Sequence, residues 1–263
     1  MQIKTKNNRK LKLCTSLAIG VVLIFAVLFG GAACLPEPEI LETPYFRYIV
    51  QSGRDNDGNP WERITLLNLT EHGARQRFLV VPEYIDGVRV TQIGRRDWAG
   101  FAYTADAWIS DYLEKIFFET SRVHFEMVGN NSVTWQVPNL NMAVVINWDM
   151  EHGSGIGSFN FLTGTDFFVP SYIGLIYNHL ISRVANVSYY FNFATNIKHG
   201  LYWIDHVSYG SFIEFIPQNP IHEGYMFLGW YREPQGINQW NFDTDTMPNT
   251  QELRLYARWQ RVD

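Results

Sequence analysis

The chain has 263 residues, of which 46% are apolar and 16% aromatic, ample for a packed core and far too many for a disordered stalk. Residues 1 to 33 hold five basic and no acidic residues, so the remainder carries 16 Lys and Arg against 26 Asp and Glu, a formal −10 that repels nucleic acid. The cysteines are Cys14 and Cys34. Residues 35 to 263 therefore offer neither an internal disulfide nor a thiolate metal site.

The first element is a leader. Lys4, Lys6, Arg9, Lys10 and Lys12 precede an uninterrupted run of apolar and small residues from Leu17 to Ala33. That run is longer than an ordinary signal core of about 7–15 residues and short for a spanning helix of about 20. It ends at Gly31, Ala32 and Ala33, before Cys34 and the Pro-rich acidic "LPEPE". This looks like a bacterial lipoprotein signal. The resemblance implies a signal peptide over 1–33, lipid on the Cys34 thiol, and an extended tether over 34–44. General signal-peptidase cleavage and an uncleaved anchor stay open. All three place residues 44 to 263 outside the cytoplasmic membrane. Acyl chains contribute about 0.8 kcal/mol per buried methylene, so more than one chain anchors a protein firmly.

Next, "YFRYIVQSGRDNDGNPWERITLLNL" alternates on both sides of a turn rich in Asp, Asn and Gly, and predicts a hairpin. Asp55, Asp57 and Asn59 have calcium-loop spacing. Gly58, however, falls two places early for the EF-hand pattern and the bidentate Glu is absent, so turn chemistry is the better account.

In "RFLVVPEYIDGVRVTQIGRRDWAGF" a strand at Leu79 to Pro82 is followed by Ile85-Asp86-Gly87 with Val88 and Val90, then Ile93-Gly94 and Trp98-Ala99-Gly100. This resembles the BspA-type leucine-rich repeat of bacterial surface proteins. Val80, Ile85, Val90 and Ile93 form the expected inward set, with Gly87 and Gly94 at the turns. A single such coil cannot bury its apolar face, so neighbouring coils must stack. A second coil begins at "LEKIFFETSRVHF", with Leu113, Ile116 and Phe118 inward, and "MAVVINWDM" supplies a further buried strand. "TDFFVPSYIGLIYNHLI" resembles the closing unit of such arrays. Its strand ends at Pro170 and its helix carries Ile173, Ile176, Tyr177 and Leu180 on one face. Residues 45–183 are thus expected to form a short, degenerate leucine-rich-repeat solenoid.

The last eighty residues hold Tyr209-Gly210, Pro217, Pro220, Glu223-Gly224-Tyr225, Phe227, Gly229-Trp230-Tyr231, Trp240, Phe242-Asp243 and Leu255-Tyr256-Ala257-Trp259 in order. They resemble the Listeria–Bacteroides repeat, the B-repeat of internalin-type proteins, over roughly 187–259. The resemblance implies a small β-grasp-like domain, here 184–263, used as spacer or protein-interaction module. In "GYMFLGWY", strict alternation puts Tyr225, Phe227 and Tyr231 on one side and Met226, Leu228 and Trp230 on the other. We read these aromatics as core, since a small domain must fill both layers.

Catalytic patterns are weak. "WDMEHGSG" crowds Asp149, Glu151, His152 and Ser154, yet Ser154 lacks the preceding Gly of a nucleophile elbow. His124, His179, His199, His206 and His222 show no metal-ligand spacing. The expectation is a mainly β, non-enzymatic surface protein with no cofactor, catalytic group or metal ligand. It would mediate adhesion or protein–protein interaction through an unidentified protein or glycan ligand, with membrane contact through its lipid. The alternative is a purely structural envelope lipoprotein without a discrete ligand.

Overall fold

The computed structural model describes residues 38–94, 107–125, 134–148, 165–171, 182–193, 200–250 and 252–262. Residues 38–263 form one compact unit. The described fold is mainly β, with curled sheets and one four-residue helix, Glu71–Ala74. Among the described residues no helix is long and apolar enough to cross a membrane. Cys34, Trp98-Ala99-Gly100, the expected helix carrying Ile173 to Leu180, and His179 and His199 lie outside the described residues, as does the cluster Asp149, Glu151, His152 and Ser154.

The expected hairpin forms from β2 (Phe46–Arg54) and β3 (Pro60–Leu69), paired antiparallel along their length. A short β1 (Leu41–Glu42) adds to its edge, so part of the segment expected to be tether is already paired, Leu41 opposite Tyr48. The next strands are β4 (Phe78–Val81), β5 (Tyr84–Ile85) and β6 (Val88–Ile93). Asp86 and Gly87 join β5 to β6 with φ of 50° and 81°, the two positive values that a two-residue hairpin turn demands. Asp-Gly at this spot is therefore a backbone requirement. β6 also runs parallel beside β3, which carries the hairpin into the same sheet.

After β7 (Ala107–Ile109) come β8 (Lys115–Phe118), β9 (His124–Phe125), β10 (Thr134–Gln136), β11 (Met142–Val145), β12 (Asp166–Val169) and β13 (Ser182–Val184). Strands β4, β8, β11, β12 and β13 lie side by side in chain order, each parallel to its neighbour. Val80, Phe117, Val144 and Phe168 stand in register across this sheet. β7 and β10 form a parallel pair of their own.

Only Ala185 and Asn186 separate β13 from β14 (Val187–Tyr190). With β15 (Leu201–Asp205), β16 (Tyr225–Tyr231) and β17 (Leu253–Arg261), β14 builds a second sheet in the order β15-β14-β17-β16, parallel only between β14 and β17.

Strand periodicity sends alternate residues of the parallel sheet into two different cores. Leu79, Val81, Ile116, Phe118, Ala143 and Val145 pack with Ile64, Leu66, Val90, Ile93 and Trp108. Phe117, Val144 and Phe168 pack with Tyr189, Trp203, Trp230 and Leu255 of the C-terminal segment. This corrects the expected inward set. Ile85, Val90 and Ile93 do share a core, but their partners from β4 are Leu79 and Val81, while Val80 points the other way, against the second core. Leu113, Ile116 and Phe118 are fully buried as expected.

Candidate interaction surface

One face of the parallel sheet packs on the first core, and parallel sheets as a rule are covered on the second face too. Here that second face is apolar and covered. Phe117 stacks on Phe215 at 4.3 Å between ring centroids and lies 5.3 Å from Trp203, while Phe78 meets Phe215 edge-on at 6.1 Å. Each fully buried aromatic of this kind contributes about 1.5–3 kcal/mol relative to exposure. The segment 206–217 that brings Phe215 there alternates as a strand does, with Ile213 and Pro217 inward and Phe212, Glu214 and Ile216 outward.

Polar groups rim the contact. Arg77 donates two 2.8 Å bonds to Glu114 and pairs with Glu214 at 2.8 Å, all well exposed and so worth little individually. Asn186 donates to the Val207 carbonyl at 2.8 Å and accepts from the Val207 N–H at 2.9 Å, which pins the entry to the second sheet. Deeper in, the Lys115 ammonium reaches Asp205 Oδ1 at 2.7 Å and the His206 carbonyl at 2.9 Å. The Asp205 side chain is 1% exposed, and its Oδ2 has no partner. Burial pushes this carboxyl up in pKa against the opposing pull of Lys115. Burial pushes the neighbouring His206 imidazole down, with Lys115 adding to the effect, and the ring stacks on Phe168 at 3.9 Å. The pair joins residues far apart in the chain, so no local spacing announces it. The available signal was one charge at the end of each of two apolar strands, "KIFF" and "LYWID".

The "GYMFLGWY" strand departs from strict alternation. A bulge between Phe227 and Gly229 shifts the register, so Phe227 pairs with Trp259 and Gly229 with Arg258. Phe227 and Trp230 consequently meet on one face, 5.2 Å apart, and Met226 and Leu228 are exposed. Trp230 is 2% exposed, packed edge-on to Tyr189 at 5.0 Å, in agreement with its reading as core. Gly229 adopts φ 134°, and a Cβ there would meet the Gln239 side-chain nitrogen at 2.7 Å. The bulge is a glycine feature.

The Asp55 turn is self-satisfied. Asp55 Oδ1 accepts from the N–H groups of Asp57 and Asn59 at 3.0 and 2.8 Å, and Oδ2 accepts from the Asn59 amide at 3.2 Å. These bonds, Asn59 foremost, hold its carboxyl below the usual range. Nearby, a shallow hollow at the hairpin tip is lined by Gly53, Arg54, Pro60 and Trp61. The Trp61 ring lies on Gly53, where a Cβ would sit 2.5 Å from it, and Arg63 covers the ring at 4.8 Å. Among the described residues no group of three or more His, Cys, Asp or Glu is placed to hold a metal. His222 packs with Phe193, Tyr225 and Trp259, its Nδ1 2.9 Å from the Glu223 carbonyl. Apolar side chains also face outward along 209–221: Tyr209, Phe212 and Ile216 are about half-exposed, and Ile221 is 93% exposed.

Residues 189–258, which include all of β15 and β16, half of β14 and most of β17, match the family model of the Listeria-Bacteroides repeat domain. Internalin H of Listeria monocytogenes is 44% identical over 43 residues, 16% of this chain and 8% of that protein. A putative membrane protein of Evansella cellulosilytica is 41% identical over 51 residues, 19% of this chain and 7% of that protein. The chain thus spans under a tenth of either relative.

Proposed function

We propose that the chain is a non-catalytic protein of the bacterial envelope, lipidated at Cys34, that mediates adhesion or protein–protein interaction. The parallel strands are degenerate coils of a BspA-type leucine-rich-repeat solenoid over 45–183, and 184–263 is a β-grasp-like B-repeat domain. The observation that carries this reading is the repeat match over 189–258, beside the partial similarity to an internalin and to a putative membrane protein. Its aromatics Trp230, Tyr231 and Trp240 are buried, and the exposed 209–221 segment is the contact surface for a protein or glycan. In the test, labelled full-length protein is applied to intact cells and envelope extracts, beside a Phe212→Ser, Ile216→Ser variant of unchanged Tm. Saturable binding weakened by the double substitution supports adhesion; equal binding by both proteins rules out this surface.

A second reading, a structural envelope protein without a discrete ligand, is favoured by one observation. The sheet face that a solenoid would offer to a ligand is already occupied by Phe215 and Trp203 of the same chain. Under that reading neither protein binds saturably, and loss of the gene alters envelope integrity instead.

A further inference from the structure

The Lys115–Asp205 contact is arranged for more than an ion pair. Two acceptors orient the amine, Asp205 Oδ1 at 2.7 Å and the His206 carbonyl at 2.9 Å. The His206 backbone N–H donates to the same Oδ1 at 2.6 Å, where negative charge would grow if the carboxyl carbon were attacked. Oδ2 has no partner and is free to depart. Phe78 and Phe117 wall the amine at 5.9 and 5.6 Å, and both side chains are nearly excluded from solvent. Condensation uses the neutral amine and the neutral acid, which differ from the ion pair by one proton passed from ammonium to carboxylate.

We propose that Lys115 and Asp205 condense to an intramolecular amide, a covalent cross-link between β8 of the parallel sheet and β15 of the C-terminal sheet. The Lys115 Nζ–Cγ bond of Asp205 forms and the Cγ–Oδ2 bond breaks. Oδ2 leaves as water, taking the acid proton and one amine proton; the second amine proton stays on the amide. The reaction is redox-neutral and needs no co-reactant. Two buried polar atoms near the pair in the fold have no hydrogen-bond partner. His206 Nδ1 is buried without a partner, and so is the Tyr189 hydroxyl, which lies on β14 two positions from Val187, the residue paired with Asp205. Burial keeps the His206 ring in its neutral form, able to accept and return a proton. The product would close a long loop in a stretch of chain that contains no cysteine, constraining the unfolded state as a disulfide does.

Tryptic mapping of the folded full-length protein tests this directly, because a lysine whose amine is acylated resists trypsin. The expected result is a branched peptide containing both residues, one water lighter than its two parts and uncut at Lys115. Lys115→Arg keeps the positive charge and should abolish the branched peptide. Protein recovered unfolded from inclusion bodies should lack the cross-link and acquire it on refolding, so the wild type alone decides if the variant fails to fold. Complete cleavage at Lys115, with both peptides recovered separately from folded, aged wild-type protein, would overturn the proposal and leave an ion pair only.

Discussion

At the residue scale the bulge explains why Trp230 is core while Met226 and Leu228 of the same strand are exposed. Gly229 supplies the positive φ that re-aims the strand, and Trp230 then fills space between Tyr189 and Phe227. Trp230→Ala is expected to cost about 3–5 kcal/mol, the penalty for emptying a large aromatic site, read as a fall in Tm of the full chain. A Tm unchanged within error would return the ring to the surface. Glu119 gives a pH-dependent counterpart. It is half-buried, accepts from the Glu83 N–H at 2.8 Å, and burial raises its pKa, with Glu83 repulsion a smaller contribution in the same direction. A carboxyl whose folded pKa lies above its unfolded value binds more protons when folded, so its contribution to stability falls as pH rises through that window. Glu119→Gln keeps an acceptor and removes the charge. It is expected to raise Tm slightly at neutral pH, with the gain vanishing below the unfolded carboxyl pKa of about 4.3. A gain that persists at lower pH would mean that charge is not its cause.

At the element scale, each sheet was legible in the sequence where the constraint is local. Asp86-Gly87 announces its hairpin because two positive φ values in succession admit few residues, and Leu113, Ile116 and Phe118 announce a core because period and spacing agree. The second face of the parallel sheet was not legible. Phe117, Val144 and Phe168 look in sequence like surplus apolar residues on short strands, and only the fold shows that Phe215 and Trp203 come back to cover them. The same holds for Val80, since a run of "FLVV" is apolar at every position and does not say which residues face which core. The bulge escapes strict alternation because Gly229, at φ 134°, interrupts a run that is otherwise apolar on both sides. Phe117→Ala is expected to loosen both sheets together, costing about 3–5 kcal/mol, with lost protection of amides in β14 and β15 as well as β8. Protection lost in β8 alone would separate the two cores. The isolated 184–263 segment, expected from its sequence pattern to fold by itself, would expose Trp203 and Phe215, and so should melt well below the full chain.

At the scale of the whole molecule, the central claim is that the C-terminal sheet is built onto the parallel sheet instead of standing apart from it. Residues 38–263 form one compact unit, only Ala185 and Asn186 link β13 to β14, and aromatic rings and the Lys115–Asp205 contact fill the space where the two sheets meet. This bears on function, because a module locked in place presents one fixed surface, whereas a spacer on a flexible joint does not. Anchoring is a separate matter with its own test: Cys34→Ala should abolish incorporation of a labelled fatty acid that the wild type takes up, and an unlabelled wild type would exclude the lipid. The most direct measurement of the central claim is native-state hydrogen exchange of the full chain, followed strand by strand through increasing denaturant. The account predicts that the slowest amides of β8 and β11 and those of β14 and β17 merge into one opening reaction of the same free energy and the same denaturant dependence. Two separate openings, with β14 to β17 still protected after β4 to β12 have exchanged, would contradict it.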